Sequence, residues 1–134
     1  MNSLPVSPPR RNNLSIIQRL IAAYKLWHEF LPHFPKTSRY TLGGKIDGLF
    51  TEMIELVFTA SRLPGERKLP VIFEASAKLD SLKFFLQIAW EIKALDNKKY
   101  IALSENLSEI GRMLGGWQKQ VNTIINPARG GEQK

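Results

Sequence analysis

Apolar residues recur along this chain at steps of three and four rather than at the alternating step of a β-strand, so the pattern predicts helices. The most regular stripe is the last: Tyr100, Leu103, Leu107, Ile110, Leu114, Trp117, Val121 and Ile124, on a helix from about Lys98 to Ile125. The stretch from Pro70 to Leu95 carries two stripes. Ile72, Ala75, Leu79, Leu82, Leu86 and Ala89 form one, and Phe73, Ala77, Phe84, Ile88 and Leu95 lie on the opposite side. A surface helix needs one apolar face, and a helix apolar on two faces is covered on both. The second face therefore predicts a partner beyond the core, and in a small chain a second copy is the simplest one. Phe73, Ala77, Phe84 and Ile88 are the expected contact residues.

Two earlier helices complete the set. The first runs from about Leu14 to Leu31, with Leu14, Ile17, Ile21, Tyr24, His28 and Leu31 as its inner stripe and Leu20 and Trp27 beside it. Leu26 and Phe30 point away from that stripe, and Pro32 and Pro35 end the helix. The second, capped by Thr37 or Ser38, reaches about Arg62. Leu42, Ile46, Leu49, Met53, Val57 and Ala60 mark its core face, and Ile54 and Phe58 widen it. Leu63 to Leu69 reads as a turn, Pro70 as the first turn of the third helix, and Asp96-Asn97 as the break that caps the fourth. Ser104, Ser108, Gly111 and Gly115 make a stripe of small residues that suggests close approach of a neighbour. Residues 1–12, with Pro5, Pro8 and Pro9, read as a flexible arm, and 126–134 as a flexible tail. Short connections make antiparallel neighbours, so the expected fold is all-α: an up-down-up-down four-helix bundle over residues 13–125.

Length and charge then narrow the partners. A chain of 134 residues is one domain with room for a core. No apolar run approaches the roughly 18 residues of a membrane span, and the first residues lack the apolar segment of a signal peptide, so a soluble cytoplasmic protein is expected. The formal charge is +7, which suits a polyanionic partner. In the expected topology the first and third connections share one end of the bundle. That end gathers His33, Lys36, Arg39, Lys93, Lys98 and Lys99, with Lys45 farther along the second helix and Asp96 as the only nearby acid. The other end carries Arg62, Arg67 and Lys68 against Glu66, together with Arg10 and Arg11 of the arm. Arg112 and Lys119 share an outer face that Glu105 and Glu109 dilute. Lys and Arg at helix ends often do no more than solvate them; the first cluster is the stronger candidate because it converges from two loops. Nothing in it reads base edges, so binding driven by charge and shape is expected. Tyr40 and Trp90 can stack on bases, although packing is the commoner role for such residues.

Catalytic arrangements are not found. There is no cysteine, hence no disulfide, thiolate metal site or thiol nucleophile. The two histidines, His28 and His33, lack the Glu-x-x-His spacing of di-iron bundles, and His28 is read as a structural residue on the inner stripe. Glu52 and Glu55 read as a solvated polar face. Thr41 to Lys45, TLGGK, lacks the spacing and the preceding strand of a phosphate-binding loop. No enzyme, metal or cofactor is expected.

Three segments carry a family resemblance: YKLWHEFLPHFPKTSRYTLGGKI (24–46), EASAKLDSLKFFLQIAWEIKALDNKKY (74–100) and SEIGRMLGGW (108–117). Together, over about Leu20 to Lys119, they resemble the accessory variability determinant proteins of diversity-generating retroelements. The resemblance implies a four-helix bundle that assembles into a barrel-like homopentamer. It also implies a non-enzymatic partner of a reverse transcriptase that, with template RNA and cDNA, supports mutagenic retrohoming. On that reading the basic role falls to Lys36, Arg39, Lys93, Lys98 and Lys99. Two alternatives stand beside it: the four-helix bundle family encoded in intervening sequences of 23S ribosomal RNA genes, and a helical oligomeric scaffold that binds no RNA.

Overall fold

The computed structural model of the chain describes residues 8–125 and the side chains from Ser15 onward. Five α-helices run in order: α1 (Pro8–Phe30), α2 (Lys36–Arg39), α3 (Leu42–Ser61), α4 (Gly65–Glu91) and α5 (Asn97–Ile125). A 3-10 turn, Leu31–His33, follows α1. The four long helices form the bundle. α4 packs between α3 and α5, and α1 closes the ring against the same two helices. Cross-helix contacts fix the antiparallel sense. Glu52 of α3 meets Lys78 of α4, Gln118 of α5 meets Ser76 of α4, and Lys99 at the start of α5 lies over Phe30 at the end of α1.

The core follows the helical stripes closely on two helices. Every residue of the predicted α4 stripe, from Ile72 to Ala89, is buried. On α5 the buried set runs from Leu103 to Val121, while Tyr100 is half-buried and Ile124 is exposed. Burying each leucine or isoleucine of these stripes contributes about 1.5–3 kcal/mol, so the stripes hold the bundle together. On α3 the predicted stripe is buried except Leu42, which is half-buried, and Phe50 joins it.

α1 is turned by about one residue from the expected orientation. Its buried stripe is Ile16, Leu20, Ala23 and Trp27. Ile21 and His28 are exposed, and Leu26 and Phe30 pack against the core rather than away from it. The cause is Trp27. Its indole stacks on Phe50 of α3, with centroids 6.1 Å apart, and meets Phe34 edge-on at 5.4 Å. Its Nε1–H donates to Asp47 Oδ1 at 3.1 Å, and the Tyr24 hydroxyl donates to the same oxygen at 2.8 Å. The carboxylate's hydrogen bond, with burial adding to it, raises the pKa of Tyr24 above the usual phenol value.

The helix boundaries also differ from expectation, each for a local reason. α1 begins at Pro8, not near Leu14. Pro8 and Pro9 open its first turn, where a helix has no acceptor for their missing N–H groups. The rest of the expected arm, residues 1–7, and the expected tail, 126–134, lie outside the described residues. The second predicted helix is split at Tyr40-Thr41, and neither Thr37 nor Ser38 caps it; Pro35 precedes α2. Between α1 and α3 the chain folds over the end of the core and inserts Phe34 as a buried plug. Gly43 permits this: a Cβ there would lie 2.7 Å from Leu31 Cδ1. α4 starts at Gly65, so most of the predicted turn is helix and Pro70 sits inside it. Pro70 leaves the Glu66 carbonyl without its helical donor, but Pro70 and Glu66 are both exposed, so water can supply one. The small-residue stripe packs only in part. A Cβ on Gly111 would touch Leu79 at 3.4 Å, whereas one on Gly115 meets nothing within 4 Å among the described residues.

Asp47→Ala strands a buried indole N–H and is expected to lower the unfolding free energy by about 2 kcal/mol. Asp47→Asn keeps an acceptor oxygen and should lose clearly less. Urea denaturation of both variants checks this; equal losses would remove the shared acceptor from the account.

Candidate nucleic-acid and partner interface

The connection between α4 and α5 is built by a helix stop. The Lys93 N–H bonds to the Trp90 carbonyl at 3.0 Å, and the Ala94 N–H reaches back to the Ala89 carbonyl at 2.9 Å. These are the paired bonds of a Schellman motif, which needs a left-handed residue and usually takes glycine. Here the residue is Lys93, at φ 65°. Ala94 and Leu95 then turn into the core, which ends α4 at Glu91 instead of the expected Leu95. Asp96 caps α5: its Oδ1 accepts the Lys99 N–H at 2.9 Å, and its Oδ2 takes the Lys99 ammonium at 2.9 Å. The backbone bond first, then the ammonium, hold the Asp96 carboxyl below the usual carboxylate range.

The basic residues expected at this end have different fates. Arg39 is engaged by the loop itself, its guanidinium donating to the carbonyls of Pro32 and Phe34, each at 2.9 Å. It locks the strap that carries the Phe34 plug. Lys99 is paired with Asp96 and lies 5.7 Å from the Phe30 ring centroid. Lys45 turns onto the side of the bundle, with its ammonium 5.5 Å from the centroid of Phe85 on α4. Lys36, Lys93 and Lys98 are exposed, and no side-chain partner engages them among the described residues. Lys93 also lines an open depression with Trp90, Glu91, Leu95, Asp96 and Asn97. Glu91 is thus a second acid at this end beside Asp96; its carboxylate accepts Gln87 Nε2 at 2.9 Å.

At the opposite end Lys68 donates to the Ala60 carbonyl at 2.9 Å and lies over Trp117. Burial pushes its pKa below the usual lysine value. It closes the C-terminus of α3 and is a structural residue. Arg62 lies over the Phe58 ring, 5.5 Å from its centroid, and Arg67 is exposed. Arg112 is paired with Glu109 on the outer face of α5.

The second stripe of α4 faces outward from Phe73 to Ile88, whereas Leu95, read as its last member, lies beyond the helix end and is buried. Phe73 is 55% exposed and Phe84 57% exposed; Ala77 is exposed and Ile88 half-buried. Among the described residues only Phe85 makes an aromatic contact with Phe84, edge-on at 5.6 Å. A groove beside Phe84 is lined by Asp80, Gln87, Ser104 and Ser108, so part of the small-residue stripe of α5 forms a hollow rather than a helix contact. Two further apolar residues that the stripes did not mark, Ile92 and Ile101, are also exposed.

His28 stacks on Tyr24, with centroids 6.1 Å apart, on the outside of the bundle and not on its inner stripe. Among the described residues no group of three or more His, Asp or Glu side chains is placed to hold a metal, and no helix is long and apolar enough to cross a membrane. A family model described as bAvd-like matches residues 14–121, a span that takes in most of all four long helices. No curated protein matches the chain.

Lys93→Gly relieves the left-handed backbone and is expected to raise the unfolding free energy by about 1 kcal/mol. A higher urea midpoint at unchanged slope is the readout; a loss of stability would mean that the Lys93 side chain contributes more than its backbone costs.

Proposed function

The chain belongs to the bAvd-like family, and from that premise we propose that it is a non-enzymatic accessory protein of a diversity-generating retroelement. It binds the retroelement's reverse transcriptase and its template RNA or cDNA, and so supports mutagenic retrohoming. The observation that carries this reading is the family match across most of the bundle. Two surface features agree with it. The outward stripe of α4 supplies an apolar face for self-association into a barrel-like homopentamer. The end that carries Lys36, Lys93 and Lys98 supplies an excess of positive charge for a polyanion. Assembly would repeat that end around a ring, so weak phosphate contacts add up to a salt-sensitive affinity.

Capture of a retroelement reverse transcriptase by the purified protein, with and without its template RNA, tests the proposal directly. Salt-sensitive capture is expected. A folded protein that captures the enzyme under no condition would overturn the accessory role and favour the ribosomal intervening-sequence family or a scaffold.

Phe84→Glu places a charge in the middle of the apolar stripe and is expected to dissociate the assembly while the helices stay folded. Light scattering and circular dichroism check the two halves of that statement. An assembly of unchanged mass would remove α4 from the interface.

A further inference from the structure

Trp90 is braced, yet open. Its indole stacks on Tyr100, with centroids 5.2 Å apart and planes 14° from parallel. Its Nε1–H donates to the Asn97 side chain. A ring held on one face and at its polar edge has a fixed plane, and its N–H needs no further partner. Even so, 38% of the residue stays exposed, while the other two tryptophans, Trp27 and Trp117, are buried. The depression that Trp90 lines also holds Lys93, and Lys98 lies just beyond it, one residue past Asn97. The acids there are engaged: Asp96 by Lys99 and the start of α5, Glu91 by Gln87. Only Asp96 is neutralised, by Lys99; Glu91 keeps its charge, since the Gln87 amide is neutral, but Lys93 and Lys98 outnumber it, so the balance around the ring is positive.

We propose that the Trp90–Tyr100 stack is a platform for one unpaired nucleobase, which extends the stack by a third ring while Lys93 and Lys98 meet the flanking phosphates. This rests on the nucleic-acid half of the function proposed above and gives it a chemical class, single-stranded rather than duplex. Bases in the interior of a duplex are already stacked on both faces and cannot extend the pair; an unpaired base can. Stacking is tolerant of base identity, in keeping with an end that offers no set of groups for reading base edges. The backbone agrees as well: the left-handed turn at Lys93 stores strain next to the ring, as functional positions often do.

The experiment is fluorescence anisotropy of a labelled single-stranded RNA of mixed sequence, and of its duplex, over a salt series, with light scattering on every variant. Trp90→Leu is expected to weaken single-strand binding about tenfold, with the salt slope and assembly mass unchanged, and to leave duplex binding as it was. Trp90→Tyr should stay near wild type. Lys93→Ala with Lys98→Ala should instead flatten the salt slope, by about 0.7 for each phosphate that is no longer neutralised. Quenching of tryptophan emission by the RNA should vanish in Trp90→Phe, since the remaining two indoles are buried. Unchanged affinity in Trp90→Leu, or a loss that tracks a fall in assembly mass, would overturn the platform, the second outcome placing Trp90 between copies of the chain. Absence of RNA binding by the wild type would sink the platform and the nucleic-acid half of the proposed function, while capture of the reverse transcriptase reports on the other half separately.

Discussion

A fully buried indole must find an acceptor for its N–H, and in this bundle the acceptor is the carboxylate of Asp47. That one requirement sets the rotation of α1. With Trp27 aimed at α3, its ring can stack on Phe50, and Tyr24 can reach the same oxygen. Once Trp27 is fixed, its edge is left open at the end of the core, and Phe34 covers it. The chain between α1 and α3 therefore folds over the bundle end instead of spanning it directly. Gly43 gives the strap room and Arg39 ties its carbonyls. The position of Lys36 on the surface follows from a hydrogen bond in the core.

The interior of α4 and α5 was readable in the sequence because their stripes face two neighbours with no competing apolar choice of equal size on the core side. α1 is the contrasting case. Ile17, Ile21, Tyr24 and Leu31 repeat as regularly as Ile16, Leu20, Ala23 and Trp27, and one residue separates the two stripes. Periodicity cannot choose between stripes about 100° apart. What chooses is a tertiary pairing, Trp27 with Asp47, that no local pattern encodes. The helix ends were misplaced for a related reason. Pro70 reads as a start, yet the five preceding residues, Gly65 to Leu69, lengthen α4, and Lys68 caps α3 from there.

For the site, the sequence located the charge but not its use. The two ends were legible from topology alone, and so was the outward face of α4. Which cations remain available was not, because helix ends consume cations: carbonyls at the end of α3 take Lys68, those of the strap take Arg39, and the cap Asp96 takes Lys99. These are partnerships across loops, invisible in a count of Lys and Arg. Tyr40 and Trp90 looked equivalent as candidate stacking residues. Tyr40 stands 81% exposed with no ring beside it among the described residues, while Trp90 is held by Tyr100 and Asn97. Only preorganised rings bind at low entropic cost, so the structure separates what the sequence could not.

The bundle thus divides its surface by geometry. Long helix sides offer continuous apolar area, and area is what association of copies needs. Helix ends offer concentrated charge and turns, and those suit a polyanion. Lys93 lies at the junction of the two. Glycine in its place would fit the Schellman turn with less strain, but it would remove an exposed cation from beside the Trp90 ring. A lysine at a position that favours glycine sacrifices a little stability at the one turn where its charge is most useful. That trade is what the proposed use of this end of the bundle would favour.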